Sequence, residues 1–182
     1  INTYKPYKAI AFDHFEFKLL PMLLLLAKLK DSALISEALV TNLESCLGYN
    51  EKEYTPVNVY AMRIASLSVG LEGEKFRLSK IDQYLRILEA NITPQGLIRD
   101  NYLPAYKNSA DLTYHQFSLA CLVLAGMKHT DSRIQRLISK GLAFSRYVRT
   151  QGCHVSYYGR GSNNIYHLAS YVFAESCASD TH

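Results

Sequence analysis

The sequence predicts an all-α domain built of helical hairpins, and three observations carry that prediction. Apolar residues recur at helical spacing, as in Ile134, Leu137, Ile138 and Leu142 behind a Thr130–Asp131 start signal. No stretch alternates well enough to make a main sheet, and only Leu97–Ile98 and Val155–Tyr158 read as short extended pieces. Three segments resemble one another: "VYAMRIASLSVG" from Val59, "TYHQFSLACLVLAG" from Thr113 and "IYHLASYVFAES" from Ile165. Aligning Tyr60, Tyr114 and Tyr166 also aligns what precedes the last two, with Gly96 and Gly152 marking turns after the Ile81 and Ile134 helices. Each unit reads as helix, Gly turn, polar loop, helix, which is the logic of stacked helical hairpins.

The elements follow in order. Ala11–Leu29 reads as an apolar helix that Pro21 either kinks or restarts, and Ser32–Leu47 and Val57–Leu71 as the next two. Ser79 is placed to cap the helix carrying Ile81, Leu85 and Leu88. Ala110–Ala125, the Ile134 helix and Ile165–Cys177 complete the series. The run "LLPMLLLLA" is too short to span a bilayer, so no membrane insertion is expected. The loops at Ile92–Ser109 and Gln151–Asn163 are long and rich in Tyr, Asn, Asp and Arg. Such loops in a compact helical domain are more often functional than idle. They favour an (α/α) toroid, with the loops gathered on one rim, over a short-looped solenoid. The 182 residues fit one domain, 1–182, of about three to four hairpins, so the expected toroid is incomplete or a fragment. The chain opens on Ile with no signal peptide, which reads as a processed or excised piece.

Composition narrows the partners. A formal charge of +4 is compatible with an anionic polysaccharide, but Lys and Arg are scattered, so a nucleic-acid partner is not expected. Fourteen Tyr against no Trp either fill helix interfaces or line a groove. The four Cys (Cys46, Cys121, Cys153, Cys177) lack CxxC spacing, so neither a zinc site nor another cofactor is expected. The Cys pattern does not decide the compartment, for which a secreted or periplasmic location is the expectation.

Polar residues converge in two places. Asp111 lies four residues before His115, where it could orient the imidazole for proton transfer. Alternatively Asn108, Ser109 or Asp111 caps the helix and His115 bonds a neighbouring turn. The second place is "GCHVSYYGRGSNNIYH", from Gly152 to His167. Asn163, Asn164 and His167 share a helical face with Tyr171, and Gly159 and Gly161 let the backbone turn around Arg160. A guanidinium held there matches a carboxylate bidentately.

Long Gly- and Tyr-bearing loops between apolar hairpins, with Tyr-His and Asn-Asn-x-x-His elements at helix starts, resemble the (α/α) toroid domains of polysaccharide lyases of the alginate, chondroitin and heparinase type. The resemblance covers about Asn58 to Ala174 and is one of layout. It implies a carbohydrate-active domain that cleaves an acidic polysaccharide by β-elimination. By position, Asn164 and Arg160 would neutralise the uronate carboxylate, and His115, His167 and Tyr158 would transfer protons. Tyr114, His154, Tyr157, Asn163 and Asp100 would bind substrate. The chemistry needs these types, because donors at the carboxylate stabilise the charge that develops when a base removes the C5 proton. A glycoside hydrolase needs two carboxylic acids, for which Asp100 and Asp111 are the loop candidates. A non-catalytic helical scaffold binding glycan or protein is the third reading.

Overall fold

A computed structural model describes residues 15–32, 35–47, 56–70, 72–100, 111–149 and 165–179. The described residues form seven helices and no strand: α1 (Phe15–Ser32), α2 (Glu37–Cys46), α3 (Val57–Val69), α4 (Glu74–Asn91), α5 (Leu112–Gly126), α6 (Ser132–Tyr147) and α7 (Ile165–Ser179). The extended pair expected near Leu97 is a single antiparallel bridge between Ile92 and Ile98.

Pro21 neither splits nor ends α1, which runs unbroken through it. Proline removes the hydrogen bond to the carbonyl four residues earlier. Here Pro21 and Phe17 both lie on the exposed side, where water can satisfy that carbonyl. α4 begins at Glu74, five residues before the Ser79 start expected from apolar spacing. Glu74 favours a helix N-terminus through the macrodipole, and the extra turn carries the half-exposed Phe76 and Leu78, which the core pattern does not register. α6 starts where expected, with Asp131 as N-cap accepting from the Arg133 N–H.

The odd-numbered helices pack side by side in the order α1, α3, α5, α7. The even-numbered helices lie against them: α2 on α1, α4 on α3, α6 on α5. Sequence explains the layering. Eleven of the 13 residues of α3 and 11 of the 15 of α5 are buried, so these helices are covered on nearly every side and interior. α6 buries one stripe, Ile134, Leu137, Ile138, Gly141, Leu142 and Ser145, and exposes the rest.

Two ion pairs link the outer helices in step, Arg133 of α6 with Asp82 of α4 and Arg136 with Glu89. Because both partners advance together along the chain, α4 and α6 run in the same direction. Corresponding elements of the repeat therefore emerge at the same end, as the hairpin reading requires. α6 approaches α5 so closely that a Cβ at Gly141 would lie 2.4 Å from Leu119 Cδ2. Phe17 of α1 stacks on Phe117 of α5 with centroids 5.5 Å apart, so the row of odd helices bends enough for its first member to reach its third.

Candidate functional site

The described part of the candidate region is the junction from α4 into α5, and its hub is His115. The chain leaves α4 through a tight turn: Gly96 N–H donates to the Thr93 carbonyl, Leu97 N–H to Thr93 Oγ1, and Thr93 N–H to the Leu97 carbonyl. Gly96 has φ +103°, and a Cβ there would sit 2.1 Å from the Lys140 carbonyl oxygen of α6. Glycine is required for both reasons, the left-handed backbone and the close approach.

His115 reaches into this turn from α5 and is fully buried. The Ile98 N–H donates to His115 Nδ1 at 3.1 Å. An accepting Nδ1 leaves the ring neutral with its proton on Nε2. That Nε2–H faces the Gly141 carbonyl at 3.2 Å and Ser145 Oγ at 3.1 Å, both on α6. Ser145 donates to the Gly141 carbonyl at 2.8 Å and accepts from Gln116 Nε2 at 2.9 Å. Phe144 packs edge-on against the imidazole at 5.3 Å. One ring thus ties the α4–α5 turn, α5 and α6 together.

This placement changes the role expected of His115. Proton transfer to a substrate needs a ring nitrogen open to it, and both nitrogens are engaged inside the core. Among the described contacts, Ile98, Gly141 and Ser145 orient the ring. Asp111, expected to orient it, is the N-cap of α5, its Oδ1 accepting from Thr113 N–H at 3.1 Å and Tyr114 N–H at 3.3 Å. Capping of the helix, with His115 bonded to a neighbouring turn, is what the geometry realises. Asp100 is buried, 2% exposed, and Tyr114 is half-buried at the start of α5. His167 lies in the first turn of α7, and its side chain falls outside the described residues. His154, Tyr157, Tyr158, Arg160, Asn163 and Asn164 also lie outside them.

Two clusters escaped the reading of the sequence. Arg63 of α3 is 1% exposed, with its guanidinium 5.6 Å from the Tyr60 ring centroid and 5.9 Å from that of Tyr84, so the buried cation lies against both rings of a Tyr60–Tyr84 pair whose centroids are 5.3 Å apart. A lone charge inside the apolar run "VYAMRIASLSVG" is the signal that could have found it. The second cluster joins α6 to α7. Arg146 clasps Glu175 through Nε at 3.1 Å and Nη2 at 2.7 Å, and Tyr171 donates to Glu175 Oε1 at 3.1 Å. Burial pushes the Glu175 carboxyl up, but the Arg146 and Tyr171 hydrogen bonds outweigh it and hold the carboxyl below its ordinary range. The Tyr171 hydroxyl is raised by burial and by the carboxylate beside it. Burial likewise raises the Cys121 thiol far above its ordinary value, so Cys121 packs as an apolar group rather than a nucleophile.

A recess of about 10 Å³, lined by Leu19, Leu23, Leu67 and Gly70 among others, holds no more than one water and lies on α1 and α3, away from the helices that surround His115. Among the described residues no three His, Cys, Asp or Glu side chains assemble as metal ligands, and no helix is long and apolar enough to cross a membrane. No protein-family model, curated protein or solved structure matches the chain.

Proposed function

We propose that this chain is a helical domain of the (α/α) toroid type that acts on an acidic polysaccharide, cleaving it by β-elimination. The observation that carries the reading is the construction around His115. A buried network fastens the residues on both sides of the polar segment 101–110, the turn at Ile98 before it and α5 after it, onto α6. Two fastened ends on either side of a polar segment are what a substrate-positioning rim requires. In the sequence repeat the segment between α6 and α7 corresponds to the one between α4 and α5, and it carries Tyr158, Arg160 and Asn164.

In the proposed reaction Arg160 binds the uronate carboxylate, and Asn164 donates to it as charge builds there, so that its main effect falls on turnover. Tyr158 takes the C5 proton, the electron pair forms the C4–C5 double bond, and the C4–O bond breaks. His167 protonates the departing oxygen. His115 touches no substrate in this scheme and acts as a positioning residue. The hydrolase reading is disfavoured, because Asp100 and Asp111 are buried and Asp111 caps α5. The burial of His115 favours one other reading, a glycan-binding scaffold without turnover, since it removes one of the three proton-transfer candidates.

The test is incubation with alginate, hyaluronan, chondroitin and heparan, followed by ultraviolet absorbance of the unsaturated product. Absorbance should grow with time. Arg160→Ala should abolish binding of the acidic glycan, and Asn164→Ala should spare binding while slowing turnover by roughly 10²-fold. Binding without absorbance would establish the scaffold reading, and new reducing ends without absorbance would establish hydrolysis. Failure to bind any of the four would end the carbohydrate reading.

A further inference from the structure

Lys and Arg are scattered over the sequence, yet one element holds the chain's whole excess of positive charge. From Lys128 to Arg149 there are six basic residues (Lys128, Arg133, Arg136, Lys140, Arg146, Arg149) and one acid, Asp131, a surplus of five. The chain as a whole has a surplus of four, so everything outside this segment sums to −1. The segment is α6 with its two ends. A helix displays such charges in a fixed direction, and the buried stripe from Ile134 to Ser145 sets that direction here.

The face opposite that stripe carries Arg136, Lys140, Ala143 and Tyr147, spaced four, three and four residues apart. All four are exposed, Tyr147 by 87%. Neighbouring helices neutralise part of the charge. Arg133 and Arg136 meet Asp82 and Glu89 of α4. Arg146 pairs with Glu175 of α7, and Arg149 bears on the same carboxylate. Two cations thus share one anion at the end of α6, and among the described residues no carboxylate pairs with Lys140. Positive charge is left over along the C-terminal half of the helix, beside a tyrosine ring open to solvent.

The spacing of these cations decides which polyanion they suit. Along the axis of α6, Arg136 to Lys140 is about 6 Å and Lys140 to Arg146 about 9 Å. Duplex DNA carries one charge per about 1.7 Å of its axis, far denser than this row. A polysaccharide with a carboxylate on each sugar, or on every second one, presents charge at wide intervals with ring faces between. The electron-rich face of a tyrosine suits the C–H bonds of such a ring. We infer that the outer face of α6, centred on Lys140, Ala143 and Tyr147 and ending at Arg149, is an accessory surface for the acidic polysaccharide, holding the stretch of polymer beyond the unit bound at Arg160. The inference rests on the proposed polysaccharide function and adds a second part to its site. Continuity of sequence supports the placement, since Arg149 is the last described residue before the segment that carries Tyr158, Arg160 and Asn164. Exposed cations contribute little singly, so the face lengthens a grip and does not replace that of Arg160.

Titration calorimetry of the whole chain tests this with alginate, hyaluronan, chondroitin and heparan, each as polymer and as disaccharide. The triple variant Lys140→Ala, Tyr147→Ala, Arg149→Ala should bind the polymer roughly tenfold more weakly than wild type, and the disaccharide within about twofold. Raising salt should narrow the polymer gap. A control, Lys28→Ala with Lys75→Ala, removes the same charge from exposed positions on α1 and α4 and should bind like wild type. Equal polymer affinity in wild type and triple variant, in a chain that still binds and cleaves the polysaccharide, overturns the inference and leaves the proposed function standing. So does an equal loss in the control, which would reduce the effect to net charge. Duplex DNA bound more tightly than all four glycans, and lost in the triple variant, overturns it in favour of a nucleic-acid surface. Failure of the wild-type chain to bind any of the four removes the function and the inference together. Circular dichroism should match wild type, since every altered side chain is exposed. If the triple variant unfolds, Lys140→Gln with Arg149→Gln takes its place, and loss of folding in both would show that the face is structural and refute the inference.

Discussion

His115 illustrates how a polar side chain in a helical core does structural work. Its ring satisfies the Ile98 N–H, which otherwise has no partner inside a turn closed against α6, and it anchors Ser145 and Gln116 in the same network. A buried donor left unsatisfied costs about 1–3 kcal/mol, and the ring leaves a cavity when removed. His115→Ala should therefore destabilise the chain by about 4 kcal/mol in urea unfolding. A loss below about 1 kcal/mol would mean that the turn is held by other means. Gly96 gives a second prediction from backbone geometry. Alanine at φ +103° is strained, and its Cβ would meet the Lys140 carbonyl, which belongs to a helix and cannot swing aside. Gly96→Ala should cost about 3 kcal/mol or more, whereas Gly73→Ala, with nothing within 4 Å of its Cβ, should stay within about 1 kcal/mol. Equal thermal midpoints for the two variants would contradict this account.

At the scale of elements, the start of α6 is fixed both by its cap and by an ion-pair chain to a neighbouring helix. Asp131 caps it through Oδ1 and also grips Arg133, which reaches on to Asp82 of α4. The side-chain hydrogen bond from Arg133 is the largest influence holding the Asp131 carboxyl below its ordinary range, and burial opposes it. A carboxyl whose folded value is lowered stabilises the fold above its unfolded value and loses that contribution as pH falls through the folded one. Asp131→Ala should thus cost about 1 kcal/mol near neutral pH through loss of the cap. The difference from wild type should shrink as pH drops through and below the ordinary carboxylate range. Urea midpoints measured across that range would show it, and a gap that widened in acid would contradict the assignment.

For the whole molecule, stability should follow the layering. Amides of α3 and α5, interior on nearly every side, should exchange only through global unfolding. Those of α2, whose described residues are mostly exposed and which packs on α1 alone among the stronger helix contacts, should exchange by local opening. Hydrogen exchange followed by mass spectrometry would separate the two classes, and faster exchange in α5 than in α2 would refute the layered account.

Local patterns in the sequence were enough to establish the helical class, the hairpin repeat, the Asp131 start of α6 and the apolar character of α3 and α5. Each is written in spacing and composition along one stretch of chain, where periodicity of 3.6 and a capping side chain act over neighbouring residues. The Asp111–His115 spacing was legible too, but it was compatible with both a catalytic pair and a cap beside a buried histidine. Tertiary structure decided between them, because the partners of His115 lie on the α4–α5 turn and on α6, 17 to 30 residues away. The packing of Arg63 on Tyr84 and the requirement for Gly96 against Lys140 belong to the same class. In each case the deciding atom comes from another helix, and no pattern along a single segment records which helix that will be.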